Sequence, residues 1–233
     1  MNAFIRSVFQ NFVYILFPTL CAGCFRMMYG EEKEVCTACR MRLPYVTTEE
    51  EQLALLQKFA GRVVVDYAYA YTYFAKKGLI QRLIHQLKYR GKTRLGHELG
   101  VWFGTELARK NGPHLDADWL VPVPLHPARR RQRGYNQSEE IATGLMQALG
   151  INMRTDLLWR TKFQASQTRK SRTERWENVS TVFSVIKPEQ VRGRHLILVD
   201  DVLTTGATLE ACVGELRAAG AATVGILVIA TTR

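Results

Sequence analysis

The segment Leu196-Ile-Leu-Val-Asp-Asp-Val-Leu-Thr-Thr-Gly-Ala-Thr208 constrains this chain more than any other. Its first residues are apolar without alternation, which predicts a strand buried on both faces in a parallel sheet. Two carboxylates, Asp200 and Asp201, follow at the C-terminal end of that strand, where open α/β sheets bind ligands. Thr204, Thr205 and Gly206 then turn the chain into a helix. The free N–H groups and dipole at such a helix start favour an anion, and Thr208 adds a hydroxyl. Vicinal hydroxyls on the acids and a phosphate on the turn would suit a sugar phosphate.

Two other readings of an apolar strand ending in acids are open. One is the magnesium-holding strand of P-loop nucleotidases, but the chain has no G-x-x-x-x-G-K-[ST] loop, and no G-x-G-x-x-G fingerprint either. The other is a plain strand–turn–helix with solvated acids.

The rest of the chain alternates strands and helices, as a mostly parallel α/β sheet requires. Val63–Phe74 is a β-branched and aromatic run of strand type, open to hairpin pairing with what precedes it. A short helix is expected from Glu49. Residues 79–89 and 94–110 read as helices broken at Gly91, and 119–124 as a buried strand ending in prolines. A helix is predicted at 136–149 up to Gly150, short strands at 182–185 and 195–199, a helix at 207–219 and a strand at 223–230. Residues 160–180 are polar and basic, the pattern of a long mobile loop.

Four of the five cysteines read Cys21-x2-Cys24-x11-Cys36-x2-Cys39. Two such knuckles are the spacing of a four-thiolate zinc ribbon, and four protein ligands make the zinc structural. A lone redox dithiol usually carries one C-x-x-C, not two. Cys212 stands apart on a predicted helix, where a small apolar role fits. The expected organisation is an N-terminal helix and zinc ribbon at 1–45, then one α/β domain at 46–233.

Phe4, Ile5, Val8, Phe12, Ile15 and Leu16 recur at helical spacing, an amphipathic helix rather than a membrane span. No small-x-small cleavage site follows, so a cytoplasmic, non-membrane-spanning protein is expected. Hydrophobic residues make up 47% and charged residues 23%, which excludes wholesale disorder. The net charge of +11 is concentrated in residues 76–94, 126–138 and 154–175, and the remainder is net acidic. Tyr89, Trp102, Tyr135, Trp159, Phe163 and Trp176 lie in or near these segments. Basic groups with aromatic platforms are what sequence-tolerant single-strand binding uses. Lys88, Tyr89, Arg129, Arg130, Arg131, Arg133 and Tyr135 are the candidates for nucleic acid. An ordinary solvated helix face is the alternative. His85 shares a helix face with Lys88 and Tyr89, as proton shuttle or packing residue, and His126 is equally open.

Val199–Thr208 resembles the phosphoribosyl-pyrophosphate (PRPP) loop of type I phosphoribosyltransferases. The cysteine knuckles, His85 with Lys88-Tyr89, Val121-Pro-Val-Pro-Leu-His126, Arg133-Gly-Tyr-Asn-Gln137 and Arg160…Gln167…Arg175 extend the likeness. On these motifs the chain resembles the ComF (ComFC, GntX-like) family, late-competence proteins with a zinc ribbon on a type I phosphoribosyltransferase domain. The resemblance implies Asp200 and Asp201 on the ribose hydroxyls, Thr204, Thr205, Gly206, Ala207 and Thr208 around the 5′-phosphate, and Val199 as a further PRPP-binding residue. It implies a pyrophosphate loop at Val121–His126 and a closing loop at 160–180, with Arg160, Gln167 and Arg175 as contacts. That loop departs from the family pattern at Gln164 and Lys170. Mg²⁺ would accompany PRPP, and zinc would fill the ribbon. Two functions follow: a phosphoribosyltransferase in DNA uptake, or a non-catalytic adaptor binding single-stranded DNA and competence partners such as a DNA translocase, with PRPP as a regulatory or vestigial ligand.

Overall fold

The computed structural model describes residues 18–110, 116–160 and 182–233. The expected N-terminal helix and most of the 160–180 loop, with Gln167 and Arg175, lie outside the described residues.

The core is a four-stranded, all-parallel sheet of β1 (Tyr67–Tyr73), β2 (Trp119–Pro122), β5 (His195–Leu203) and β6 (Thr223–Thr231), in the order β1-β6-β5-β2. Val63–Phe74 thus forms no hairpin. Its strand starts at Tyr67 and pairs in parallel with β6, while Tyr45 and Thr72 make one isolated antiparallel bridge. A β-branched run marks strand propensity but does not name the neighbour, which is fixed by which edge the other strands leave open.

Strand alternation assigns the two faces. Ile197 and Val199 of β5 pack with α3 (Leu79–Tyr89), α4 (Thr93–Arg109) and α6 (Gln137–Leu149). Leu196 and Leu198 pack on the other face, with α8 (Ala207–Ala218) and with α2 (Glu49–Gln57) and its sequel Phe59. Cys212 of α8 is fully buried there, in the small apolar role expected.

Helices α4 and α6 touch backbone to backbone. A Cβ on Gly100 would stand 2.1 Å from the Ile141 carbonyl oxygen, and one on Gly144 2.0 Å from that of His97. Glycine is thus required at both positions by close approach. The break between α3 and α4 falls at Gly91, whose φ of 67° suits glycine. Helix α6 starts on an Asn136 cap, whose side chain accepts from Ser138 N–H, and ends on Gly150 at φ 73°.

Three small elements complete the description. The basic stretch after the prolines is helical, α5 (Pro127–Arg133), with His126 accepting from Ala128 N–H at its start. An antiparallel pair, β3 (Leu158–Arg160) and β4 (Phe183–Val185), flanks residues 161–181, and α7 (Pro188–Val191) is a single turn leading to β5. Arg160, expected to open the loop, is instead the last residue of β3, in register with Phe183.

The cysteine module, with its one short helix α1 (Thr37–Met41), shares the α3/α4 core rather than standing free. Met28, Val35 and Leu43 join the cluster of Leu83, Ile84 and Leu87. Arg82 donates to the Gly23 carbonyl at 3.0 Å, and Glu98 accepts from Glu34 N–H at 3.0 Å.

Candidate functional site

Strand β5 does not stop at Val199. Its pairing with β6 continues through Asp200↔Val228 to Leu203↔Thr231, so both acids sit inside the strand, held by the ladder. Asp201 is only 7% exposed, and its Oδ2 lies 2.8 Å from Lys88 Nζ of α3. Asp200 Oδ1 accepts from Ser138 Oγ at 3.0 Å and from Asp201 N–H at 2.8 Å. Burial, reinforced by the neighbouring Asp201 charge, pushes the Asp200 carboxyl up to about 7.

Past Leu203 the chain makes the expected turn. Gly206 stands at φ 85° as the cap of α8, and Thr204 and Thr205 are exposed. Two cations behind the turn hold its carbonyls. Lys58 donates to Thr204 O at 3.5 Å and Thr232 O at 2.7 Å, and Arg62 donates to Thr205 O at 3.4 Å. With its carbonyls engaged from behind, the turn has its hydroxyls and the helix-start N–H groups left for an anion. Nothing in the spacing of Lys58 or Arg62 signals this; they come from the far end of the chain.

Asp200, Asp201, Thr204 and Thr208 open on one cavity of about 380 Å³. The same cavity is lined by Lys88, Arg129, Arg133, Gln137 and Arg160 and by Val123–Leu125. Asn136 ties that backbone down by donating to Val123 O at 3.0 Å. Burial, with the Arg129 charge nearby, holds the Arg160 guanidinium below its ordinary value. Larger is a cavity of about 1000 Å³ between the cysteine module and α4, but it contains neither carboxylate of β5.

The basic candidates therefore divide. Lys88 serves Asp201, and Arg133 lies 5.0 Å over the Tyr89 ring. Tyr135 donates to the Leu87 carbonyl and packs inward. Arg129, Arg130 and Arg131 are exposed on α5, with Arg130 paired to Glu139 at 2.8 Å. Tyr89 is exposed, and His85 packs on it with ring centres 4.8 Å apart. Asn136 and Gln137, the end of the Arg133–Gln137 motif, stand in the site, and with them Ser138, which no sequence motif marked.

The four cysteines meet as their spacing predicts. Their sulfurs lie within 4.8 Å of one another, and Cys24 Sγ is 3.8 Å from Cys36 Sγ. A tetrahedral ion with bonds of about 2.3 Å needs sulfurs roughly 3.8 Å apart, so the donor set could hold zinc. Burial would raise the Cys21 thiol, but N–H groups of Cys36, Cys24 and Gly23 outweigh it and bring it to about 7. Cys21 thus leans toward the thiolate a metal needs, whereas burial pushes the Cys36 and Cys39 thiols up, so their protons would leave only as an ion binds.

This arrangement has relatives. Residues 100–233 match the family model described as phosphoribosyl transferase domain. The chain belongs to that family. It is 33% identical over 152 residues to the "DNA utilization protein YhgH" of Escherichia coli O157:H7, covering 64% of this chain and 66% of that protein. The match thus spans just under two thirds of the relative's own length. It is 38% identical over 102 residues to "Competence protein ComFC" of Streptococcus pneumoniae, covering 44% and 43%. These relatives place the phosphoribosyl transferase domain here in the ComF family. Among solved structures, the ComF-family chain is similar to the glutamine PRPP amidotransferase from B. subtilis complexed with ADP and GMP. The identity is 25% and the TM-score 0.41, over 57% of this chain and 26% of that one. No helix among the described residues is long and apolar enough to cross a membrane.

Proposed function

We propose that this chain binds PRPP with Mg²⁺ in the 380 Å³ cavity, transfers its phosphoribosyl group, and does so in the service of DNA uptake. One observation carries the reading: the adjacent carboxylates of β5 and the Gly206-capped start of α8 open on the same cavity. Asp200 and Asp201 take the ribose hydroxyls, and Thr204, Thr205 and Thr208 with the helix-start N–H groups take the 5′-phosphate. Hard carboxylate oxygens beside a phosphate turn suit Mg²⁺, which when bound neutralises charge on the diphosphate. As pyrophosphate leaves C1 of the ribose and the nucleophile of an acceptor bonds there in its place, positive charge develops on the sugar and negative charge on the leaving group. Arg160 and Arg129, which line the same cavity, supply cations for the latter, so the chain's contribution is positioning and electrostatics. The zinc in the cysteine cluster is structural, because all four ligands come from the protein. The link to DNA uptake is supported by the names of the relatives, a DNA utilization protein and a competence protein.

Calorimetry with PRPP and Mg²⁺ tests the reading. Saturable binding that is lost in the Asp200→Asn/Asp201→Asn double variant is the expected result. Wild-type protein that binds no PRPP would overturn it.

A second reading is favoured by the exposed ring of Tyr89 against Arg133 of α5, the helix that also carries the exposed Arg129, Arg130 and Arg131: a non-catalytic adaptor for single-stranded DNA. It expects affinity for a single-stranded oligonucleotide that falls with salt and with charge reversal at Arg129, Arg130 and Arg131. Affinity independent of salt would remove it.

A further inference from the structure

Gln137, the first residue of α6, is 2% exposed and lines the carboxylate cavity. Its Oε1 accepts from Arg133 Nη1 at 2.7 Å. A guanidinium can only donate, so the amide must present oxygen to Arg133, and the two hydrogens of Nε2 have to go elsewhere. Arg133 is itself set by its place over the Tyr89 ring. Gln137 Nε2 is shielded from solvent and has no partner among the described residues. Just one other buried side-chain nitrogen or oxygen is left so among them, Arg160 Nε, and Arg160 lines the same cavity. A buried donor without an acceptor keeps its full desolvation cost and gains nothing in return. Two of them lining one cavity, with no acceptor supplied among the described residues, describe a place for a ligand rich in acceptors.

We propose that Gln137 is a specificity-determining ligand contact, its Nε2 donating to a phosphoryl oxygen of the pyrophosphate group with Arg160 alongside. This rests on the PRPP reading and extends it. Thr204–Thr208 at the start of α8 serve one phosphate. Gln137 and Arg160 arrive from α6 and β3, separate elements, and so serve the other anionic group of the same molecule. A neutral donor is the suitable partner beside Arg129, Arg133 and Arg160, since a carboxylate there would take up the cations the ligand needs.

The test is titration calorimetry of the full chain with Mg²⁺ and three probes: PRPP, inorganic pyrophosphate and ribose 5-phosphate. Gln137→Glu keeps an oxygen facing Arg133 but turns the donor into an anion. Pyrophosphate and PRPP should bind about tenfold or more weakly, the loss of one charge-assisted hydrogen bond, while ribose 5-phosphate binds as before. If Gln137→Glu fails to fold by circular dichroism, Gln137→Met, similar in length and lacking the donor, carries the same expectation. Unchanged pyrophosphate affinity, an equal loss for both fragments, or wild-type protein that binds ribose 5-phosphate but not pyrophosphate would each overturn the proposal. Wild-type protein that binds none of the three probes instead overturns the PRPP reading itself.

Discussion

Lys88 of α3 and Asp201 of β5 form an ion pair, Nζ to Oδ2 2.8 Å and Nζ to Oδ1 3.0 Å, on the wall of the carboxylate cavity. The pair joins the helix that packs on the cysteine module to the strand that carries the acids. Replacing Lys88 with Met leaves a buried carboxylate without its cation. Unfolding in urea should show a loss of about 1.5–3 kcal/mol. In a double-mutant cycle with Asp201→Asn, the two losses should not add. Additive losses would mean that the pair contributes no coupling.

Asp200 carries a pH signature. Its carboxyl stands at about 7 in the fold, against 3.8 for an ordinary aspartate, because burial disfavours the charge. The folded state therefore holds the proton more tightly than the unfolded chain does. The resulting stability is fully present below pH 3.8 and is lost as pH rises through about 7. Asp200→Asn removes the titration. Its stability relative to wild type should thus rise between pH 4 and pH 8, by on the order of 1–4 kcal/mol. Parallel stability curves for the two proteins over that range would refute the assignment.

Gly100 and Gly144 predict the sharpest packing effect. A methyl group at either meets backbone at 2.0 to 2.1 Å, and backbone cannot rotate away as a side chain can. Gly100→Ala and Gly144→Ala should each cost about 1–3 kcal/mol or more in denaturant unfolding. Gly214→Ala in α8, where the added carbon meets nothing within 4 Å, is the control and should be neutral or slightly stabilising.

Metal removal tests the cysteine cluster. Elemental analysis should find about one zinc per chain, absent from a Cys24→Ser/Cys36→Ser variant. Chelation should lower the melting temperature, because Met28, Val35 and Leu43 lose the frame that seats them on α3. A melting temperature indifferent to chelator and to both substitutions would remove the structural role for metal.

Much of this protein could be read without its structure. The unbroken apolar run of β5, the acids after it and Thr-Thr-Gly before a helix announce a parallel sheet whose strand end carries two carboxylates and turns into a helix, since period and turn chemistry are local properties. The cysteine spacing is local too, and the four sulfurs meet as it predicts. Strand pairing is not local: β1 found β6 rather than a hairpin partner, and β5 ran past Val199 because β6 continued beside it.

The use made of each basic residue was decided only in three dimensions. The sequence shows one Lys88 and one Arg133 among many cations. Folding brings the first to Asp201 and sets the second between Tyr89 and Gln137. Lys58 and Arg62 acquire their places behind the Thr204–Thr205 turn in the same way. The physical reason is that a long cationic side chain has no periodic or turn signature of its own. Its role is set by whichever acceptor the packed backbone carries within its reach, and for Lys88, Lys58 and Arg62 those acceptors lie far away along the chain.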